Sequence, residues 1–305
     1  MRGLPARVTI REVGPRDGLQ AEKPLSTTDR AKLITQLSRT GVPKIEAVSF
    51  VSPKAVPAMA DAAEVWAHVE RRPEVAYSAL VPNGRGAEAA VGVGGFSSLQ
   101  AFLAASDGYN RHNLGKSVED SMRDVADVVH VAEAAGIPVE VSISASFGDP
   151  YDGDVAPERV LEVSQRLLDT GVNGLSLGDT TGMATPSRVW AVLGLLQDKL
   201  PEVPVNLHFH DTRGTAMANV LAAMELGCND FDSSIGGLGG SPFAPGANGN
   251  LATEDLVHML MDMGIETGVD LDLVLDAARL VESLVGHPVA SQVAKAGPRW
   301  RVEPG

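Results

Sequence analysis

The sequence of 305 residues is poor in cysteine, in aromatic side chains and in long hydrophobic runs. Its single cysteine, Cys228, excludes an internal disulfide framework and is expected to be a small buried residue in a reducing compartment. Aromatic residues make up only 4% of the chain, whereas it has 32 glycines, which favours many short turns around an aliphatic core. The chain has no run of about 18 apolar residues, so we expect no membrane-spanning segment.

Positive charge is also scarce. The 25 lysines and arginines are outnumbered by 39 aspartates and glutamates, which gives a formal net charge of −14. Because no basic cluster could neutralise phosphates, the composition argues against nucleic-acid and anionic-membrane partners and favours small molecules or proteins. The first seven residues, MRGLPAR, carry positive charge without an apolar segment behind them, so we expect no secretion signal and a cytoplasmic location.

Short β-rich stretches alternate with helical ones along the chain. Several helices end in a glycine that is followed at once by the next strand, as in TGVPKIE and AGIPVEVS. The candidate strands lie at residues 8–13, 43–48, 75–81, 99–104, 138–144, 171–179, 204–211 and 230–237. This repetition predicts an α/β fold of the (β/α)8 TIM-barrel type rather than an open doubly wound sheet, which usually has five or six strands.

The predicted barrel accounts for most of the chain. We expect one domain over residues 1–305, with the barrel at about 8–265, additional C-terminal helices at about 266–296 and a loose tail at 297–305. No G-x-G-x-x-G motif follows the first strand, so nothing there indicates a dinucleotide site.

Polar residues stand where the predicted strands end. In a barrel these ends meet at one rim, where the chemistry of such folds takes place. Glu46 has apolar neighbours and would be costly to bury alone, so an ion pair with Arg16 across adjacent strands is expected. The residues at the strand ends are Arg16, Asp17, Glu46, Ser144, Asp179, Thr180, His208, His210 and Asp211, and the glycine-rich segment 236–250 follows strand eight.

The segment HFH suggests a metal ion. His208 and His210 are two residues apart, so both side chains lie on one face of a strand. Two imidazoles with a carboxylate and an amide oxygen suit Mg²⁺, Mn²⁺ or Co²⁺ better than a closed structural zinc site, which would use thiolates. Simpler interpretations remain open: hydrogen-bonded core histidines, a turn role for Asp17, a surface ion pair for Arg16 and a helix N-cap at Asp179.

Five motifs in order give the sequence a family resemblance. They are RDGLQ, IEAVSFVSPKAVPAMAD, SLGDTTG, HFHDTRGTAMAN and GLGGSPFAPGANGNLATEDLV. Together they resemble the 3-hydroxy-3-methylglutaryl-CoA lyases, metal-dependent TIM-barrel lyases, over about residues 8–285. The resemblance implies cleavage of a 3-hydroxy-acyl-CoA to acetyl-CoA and a keto acid such as acetoacetate, as in leucine degradation and ketone-body formation. It also implies a homodimer with an acyl-CoA substrate and Mg²⁺ or Mn²⁺ as cofactor, Co²⁺ being possible.

The resemblance also implies roles for individual residues. Arg16 would stabilise the enolate at the thioester, and Glu46 would hold Arg16. The implied metal ligands are Asp17, His208, His210 and Asn250. The implied catalytic residues are Arg16, Asp17, Glu46, Asp179, His208 and Ser241. The implied substrate-binding residues are Arg16, Gln20, Lys23, Ser144, Thr180, Gly239 and Gly240.

One position departs from the family pattern. Where the lyases carry a loop cysteine after GLGG, this chain has Ser241, whose hydroxyl is a far weaker acid than a thiol. The chain is then a slower lyase, a relative with a different substrate, or a homologue that keeps binding but has lost the chemistry. A metal-dependent aldolase or Claisen synthase of the same superfamily is the alternative enzyme class.

Overall fold

The computed structural model describes residues 3–240 and 249–300. Eight parallel strands close into a barrel in chain order, with β1 paired to both β2 and β8. The strands are β1 Thr9–Glu12, β2 Lys44–Ser49, β3 Ala76–Leu80, β4 Ser98–Ala104, β5 Val139–Ser144, β6 Gly174–Asp179, β7 Val205–Phe209 and β8 Asp230–Ser233. The (β/α)8 barrel predicted from the sequence is confirmed.

Helices surround the barrel and pack on the outer face of its strands. Those in the described ranges are α1 Thr27–Leu37, α2 Ala62–His68, α3 Gly84–Val93, α4 Asp107–Leu114, α5 Val118–Ala134, α6 Pro157–Asp169, α7 Pro186–Lys199, α8 Ala216–Glu225, α9 Thr253–Asp262, α10 Leu271–Val285 and α11 Gln292–Ala296. None of the helices in these ranges combines the length and apolarity that a bilayer crossing requires.

Helix α5 illustrates how local sequence sets these elements. Ser117 Oγ accepts a hydrogen bond from the backbone N–H of Asp120 at 3.1 Å, and the Asp120 carboxylate accepts one from the backbone N–H of Ser117 at 3.3 Å. This reciprocal cap satisfies amide groups that the first turn leaves free. Val118, Met122 and Val125 then recur at helical spacing and are buried against the barrel.

The predicted and observed strands differ mainly at their ends. Strand six was expected from residue 171, but β6 begins at Gly174, because Gly171 turns the chain at a φ of 94°. Strand eight was expected to reach residue 237, but β8 ends at Ser233. Gly236 and Gly237 have φ of 67° and 68°, in the left-handed region that a strand cannot use.

The core lies between the strands and the helices and is mainly aliphatic. Cys228 is among its members, 7% exposed, which confirms its prediction as a small buried residue. The barrel interior, in contrast, holds buried polar groups, including Arg11, Glu46, Asn206 and Asp232. Buried charges require partners, so the interior must contain an organised polar network.

Candidate metal and active site

A single helical turn after β1 positions the first site residues. The carbonyl of Val13 accepts hydrogen bonds from the backbone N–H groups of Arg16 and Asp17 at 3.1 and 2.7 Å. Gly14 permits this turn, since a Cβ there would lie 2.6 Å from Glu12 Oε1. The turn therefore leaves the Arg16 and Asp17 side chains at the rim of the barrel.

Arg16 and Glu46 form the ion pair expected from the sequence. Nε and Nη2 of Arg16 each donate to one Glu46 carboxylate oxygen at 2.8 Å, and Nη1 donates to Asp17 Oδ1 at 2.6 Å. Burial alone would lower the pKa of Arg16, but the two carboxylates outweigh it and raise it. The guanidinium is thus permanently charged and fixed in one orientation.

Asp17, His208 and His210 converge on one point. Each offers one ligand atom, and these atoms all lie within 4.8 Å of one another. The two histidine Nε2 atoms are 3.1 Å apart, and His208 Nε2 is 3.9 Å from Asp17 Oδ2. Burial would raise the pKa of Asp17, but Arg16 and the two histidines lower it to about 2. Burial and His208 lower the pKa of His210 to about 3.

Asn250, the last residue of the glycine-rich segment 236–250, completes the cluster. Its Nδ2 donates to Asp17 Oδ2 at 2.7 Å and to the Leu238 carbonyl at 2.9 Å, and its backbone bridges to His210. Gly239 allows this approach, because a Cβ there would lie 2.3 Å from Asn250 Nδ2 and its φ is 108°.

The donor set fits a divalent cation on three observations. Adjacent ligands of an octahedral cation at about 2.1 Å are about 3 Å apart, close to the separation of the two imidazole nitrogens. Asn250 Oδ1, the amide oxygen of the donor set, is buried without a hydrogen-bond partner. Carboxylate, amide and imidazole groups without a thiolate match Mg²⁺ or Mn²⁺. These residues could therefore hold such an ion.

A further ion network, which the sequence analysis missed, lies beneath His208. Asp232 Oδ2 is 3.1 Å from His208 Nδ1, and Arg11 Nε donates to Asp232 Oδ1 at 2.7 Å. Burial would raise the pKa of Asp232, but Arg11 and His208 depress it well below its usual range. The sequence did contain a signal for this network, because Arg11 and Asp232 are charged residues inside strands β1 and β8, and such residues are buried only with partners.

The cluster opens into a cleft of about 470 Å³. Among the residues predicted to bind substrate, those that line it are Arg16, Gln20, Ser144, Thr180 and Gly240. Gln20 Nε2 also donates to Asp17 Oδ1 at 3.1 Å. Lys23 is exposed and is not among the lining residues. Tyr109 and Lys116 line the cleft without having been predicted.

One carboxylate oxygen of Asp179 has hydrogen-bond partners and the other has none. Its Oδ1 accepts from the backbone N–H groups of Met183 and Ala184 at 2.8 and 2.9 Å. These residues precede α7, whose N-cap is Thr185, so the interpretation of Asp179 as a helix N-cap was wrong. Its Oδ2 is buried without a partner, and burial raises the pKa of this carboxyl to about 7. Asp179 does not itself line the cleft, although the adjacent Thr180 does. The predicted catalytic residue Ser241 lies outside the described residues.

The fold and the site together define a class of protein, a (β/α)8 barrel with a carboxylate–imidazole cluster at the C-terminal ends of its strands. Comparison with known families narrows this class. The HMGL-like family model matches residues 7–281, and the chain belongs to this family.

The relatives agree with that assignment. The chain is 46% identical over 289 residues to a hydroxymethylglutaryl-CoA lyase of Bacillus subtilis, covering 94% of this chain and 96% of that protein. A crystal structure of the Bacillus subtilis HMG-CoA lyase superposes with a TM-score of 0.93 at 45% identity, covering 96% and 98% of the two chains. An Acinetobacter baumannii HMG-CoA lyase in complex with coenzyme A and 3-methylmalate has a TM-score of 0.93 at 39% identity, covering 98% of each chain.

Proposed function

We propose that this protein is a divalent-metal-dependent carbon–carbon lyase that cleaves 3-hydroxy-3-methylglutaryl-CoA to acetyl-CoA and acetoacetate. The observation that carries the proposal is the convergence of Asp17, His208 and His210 beside the fixed guanidinium of Arg16, in a chain 46% identical to a hydroxymethylglutaryl-CoA lyase. We assign Asp17, His208, His210 and Asn250 as the ligands of Mg²⁺ or Mn²⁺, with Co²⁺ as a substitute. A cation there would lower the pKa of the substrate's 3-hydroxyl.

Arg16 supplies the second charge that the reaction needs. Breaking the carbon–carbon bond leaves an enolate on the acetyl-CoA thioester, and this oxygen needs a donor already in place. The Arg16 guanidinium lines the cleft and is fixed by Glu46 and Asp17. We therefore assign Arg16 to the thioester oxygen and Glu46 to the orientation of Arg16.

The 3-hydroxyl must lose a proton before the bond breaks. A group that takes this proton works best when its pKa lies near the operating pH. Burial raises the pKa of Asp179 to about 7, and its Oδ2 has no other partner. We assign proton acceptance to Asp179, which lies next to the lining residue Thr180 and outside the lining itself, and we keep His208 as a proposed catalytic residue.

The remaining cleft residues are assigned to the substrate. Gln20, Ser144, Thr180 and Gly240 line the cleft and are proposed contacts of the acyl-CoA. Coenzyme A in the related Acinetobacter baumannii structure supports this class of ligand. Lys23 keeps its predicted role in binding the acyl-CoA, and Gly239 permits the approach of Asn250.

We further propose a cytoplasmic homodimer. The condensing aldolases and synthases are not favoured, since the relatives of 39% identity or more named above are hydroxymethylglutaryl-CoA lyases.

The proposal is tested by turnover. The purified protein with Mn²⁺ should release acetoacetate from 3-hydroxy-3-methylglutaryl-CoA, and an excess of chelator should stop it. Asp17→Asn should remove both turnover and Mn²⁺ binding, whereas Asp276→Asn, the same change at an exposed ion pair on α10, should alter neither. If the Mn²⁺-bound wild type releases no acetoacetate, the proposed function is wrong, and either a different substrate or a loss of the chemistry explains the conserved site.

A further inference from the structure

Three barrel strands carry a buried chain of charges beneath the metal cluster. Arg11 on β1 lies opposite Asp232 on β8, which lies opposite His208 on β7 in the strand register. The Arg11 and Asp232 side chains are each 5% exposed. The charges are therefore part of the barrel interior and not a surface feature.

Asp232 is fixed in position by Arg11. Nε and Nη2 of Arg11 donate to the two Asp232 oxygens at 2.7 and 3.0 Å. The rest of the guanidinium is held by Glu140 at 2.8 Å and by Asn206 at 3.0 Å. With both carboxylate oxygens occupied by this fork, Asp232 cannot rotate away from His208.

This arrangement determines which nitrogen of His208 carries the proton. A neutral imidazole has one N–H, and an ionised carboxylate can only accept a hydrogen bond. Asp232 Oδ2, 3.1 Å from Nδ1, therefore holds the proton on Nδ1 and leaves the Nε2 lone pair free. That Nε2 is the atom that faces His210 Nε2 and Asp17.

We propose that Asp232, locked by Arg11, is a positioning residue that sets the tautomer and ring orientation of His208 for metal binding. The inference rests on the metal site of the proposed function and adds a residue that acts through His208. Carboxylate partners of metal-bound histidines contribute about 10- to 100-fold to metal affinity. Loss of the Asp232 carboxylate should have an effect of that size.

Asp232→Asn is a direct test because its amide cannot satisfy both neighbours. If the amide oxygen faces His208, the NH₂ group faces the donor Nε of Arg11. If the NH₂ group faces His208, it donates to Nδ1 and forces the proton onto Nε2. Both arrangements should weaken Mn²⁺ binding about 10- to 100-fold.

The matched control is Asp230→Asn. Asp230 lies two residues away on the same strand and contacts Lys44 and Asn206 but not His208. Its Mn²⁺ Kd should stay within about threefold of the wild-type value. Titration of free Mn²⁺ by electron paramagnetic resonance measures the Kd of all three proteins without substrate.

A second measurement observes the wild-type protein directly and uses a variant only to assign its spectrum. Nitrogen-15 NMR of histidine-labelled wild type with Mg²⁺, assigned by comparison with His208→Gln, should show the His208 proton on Nδ1. An Asp232→Asn protein that binds Mn²⁺ as tightly as the wild type, or a proton found on Nε2, would overturn the inference. So would a wild type that binds no Mn²⁺.

The outcomes separate this inference from the proposed function. A protein that binds Mn²⁺ in an Asp232-dependent way but does not cleave 3-hydroxy-3-methylglutaryl-CoA supports the inference and removes the function. A protein that cleaves the substrate but binds Mn²⁺ independently of Asp232 does the reverse.

Discussion

Replacing Arg16 by lysine separates the charge of this residue from its geometry. Three nitrogens of the guanidinium donate hydrogen bonds at 2.6–2.8 Å, two to Glu46 and one to Asp17. Lysine keeps the positive charge, but its ammonium group cannot form the fork that spans the two carboxylates. The donor to the thioester oxygen is then no longer preorganised. The loss of one such donor lowers kcat by about 10²- to 10³-fold, or about 2.7–4 kcal/mol of transition-state stabilisation.

The assay for this prediction combines turnover with metal binding. Acetoacetate release is followed at saturating Mn²⁺. The Kd for Mn²⁺ is measured beside it, because Arg16 donates to the proposed ligand Asp17 and a weaker metal site must be distinguished from the loss of the thioester donor. The control is Arg72→Lys, where the exposed Arg72 Nε donates to Glu74 at 2.6 Å, and kcat should be unchanged. A kcat for Arg16→Lys within about fivefold of wild type would refute the preorganisation argument.

Three further predictions concern Gly239, Glu12 and Ser241. Gly239→Ala should weaken Mn²⁺ binding at least about tenfold by titration, because the new Cβ would meet Asn250 Nδ2 at 2.3 Å; unchanged binding would contradict the role of that close approach. Burial raises the pKa of Glu12 from 4.5 to about 7, so between these values the folded protein holds a proton that the unfolded chain releases. The contribution of protonated Glu12 to the free energy of unfolding is therefore complete below pH 4.5 and is lost as the pH rises through 7. Glu12→Gln mimics the protonated acid, so its free energy of unfolding should fall by roughly 3 kcal/mol less than that of the wild type over this pH range, as measured by urea unfolding with chelator. An equal fall with pH in the two proteins would contradict the raised pKa of Glu12. Ser241→Cys should raise kcat if the missing thiol limits the rate, and no gain would point to a different substrate or a lost function.

The sequence predicted the barrel because its signals are local. Each βα unit repeats a helix, a glycine turn and a strand, and eight repeats fit a closed sheet. His208 and His210 were equally accessible to prediction, because the two-residue period of a strand places them on one face. The pairing of Arg16 with Glu46 followed from the cost of burying an isolated carboxylate.

The Arg11–Asp232–His208 chain could not be predicted in the same way. Its members are up to 221 residues apart, and they meet only because β1 and β8 close the barrel in one particular register. Periodicity assigns a residue to a face but does not identify its partner.

The most direct test of the metal site is a crystal structure of the protein grown with Mn²⁺. Anomalous scattering should give one strong peak within about 2.3 Å of Asp17, His208, His210 and Asn250. A peak elsewhere, or no peak between these four side chains at saturating Mn²⁺, would contradict the account.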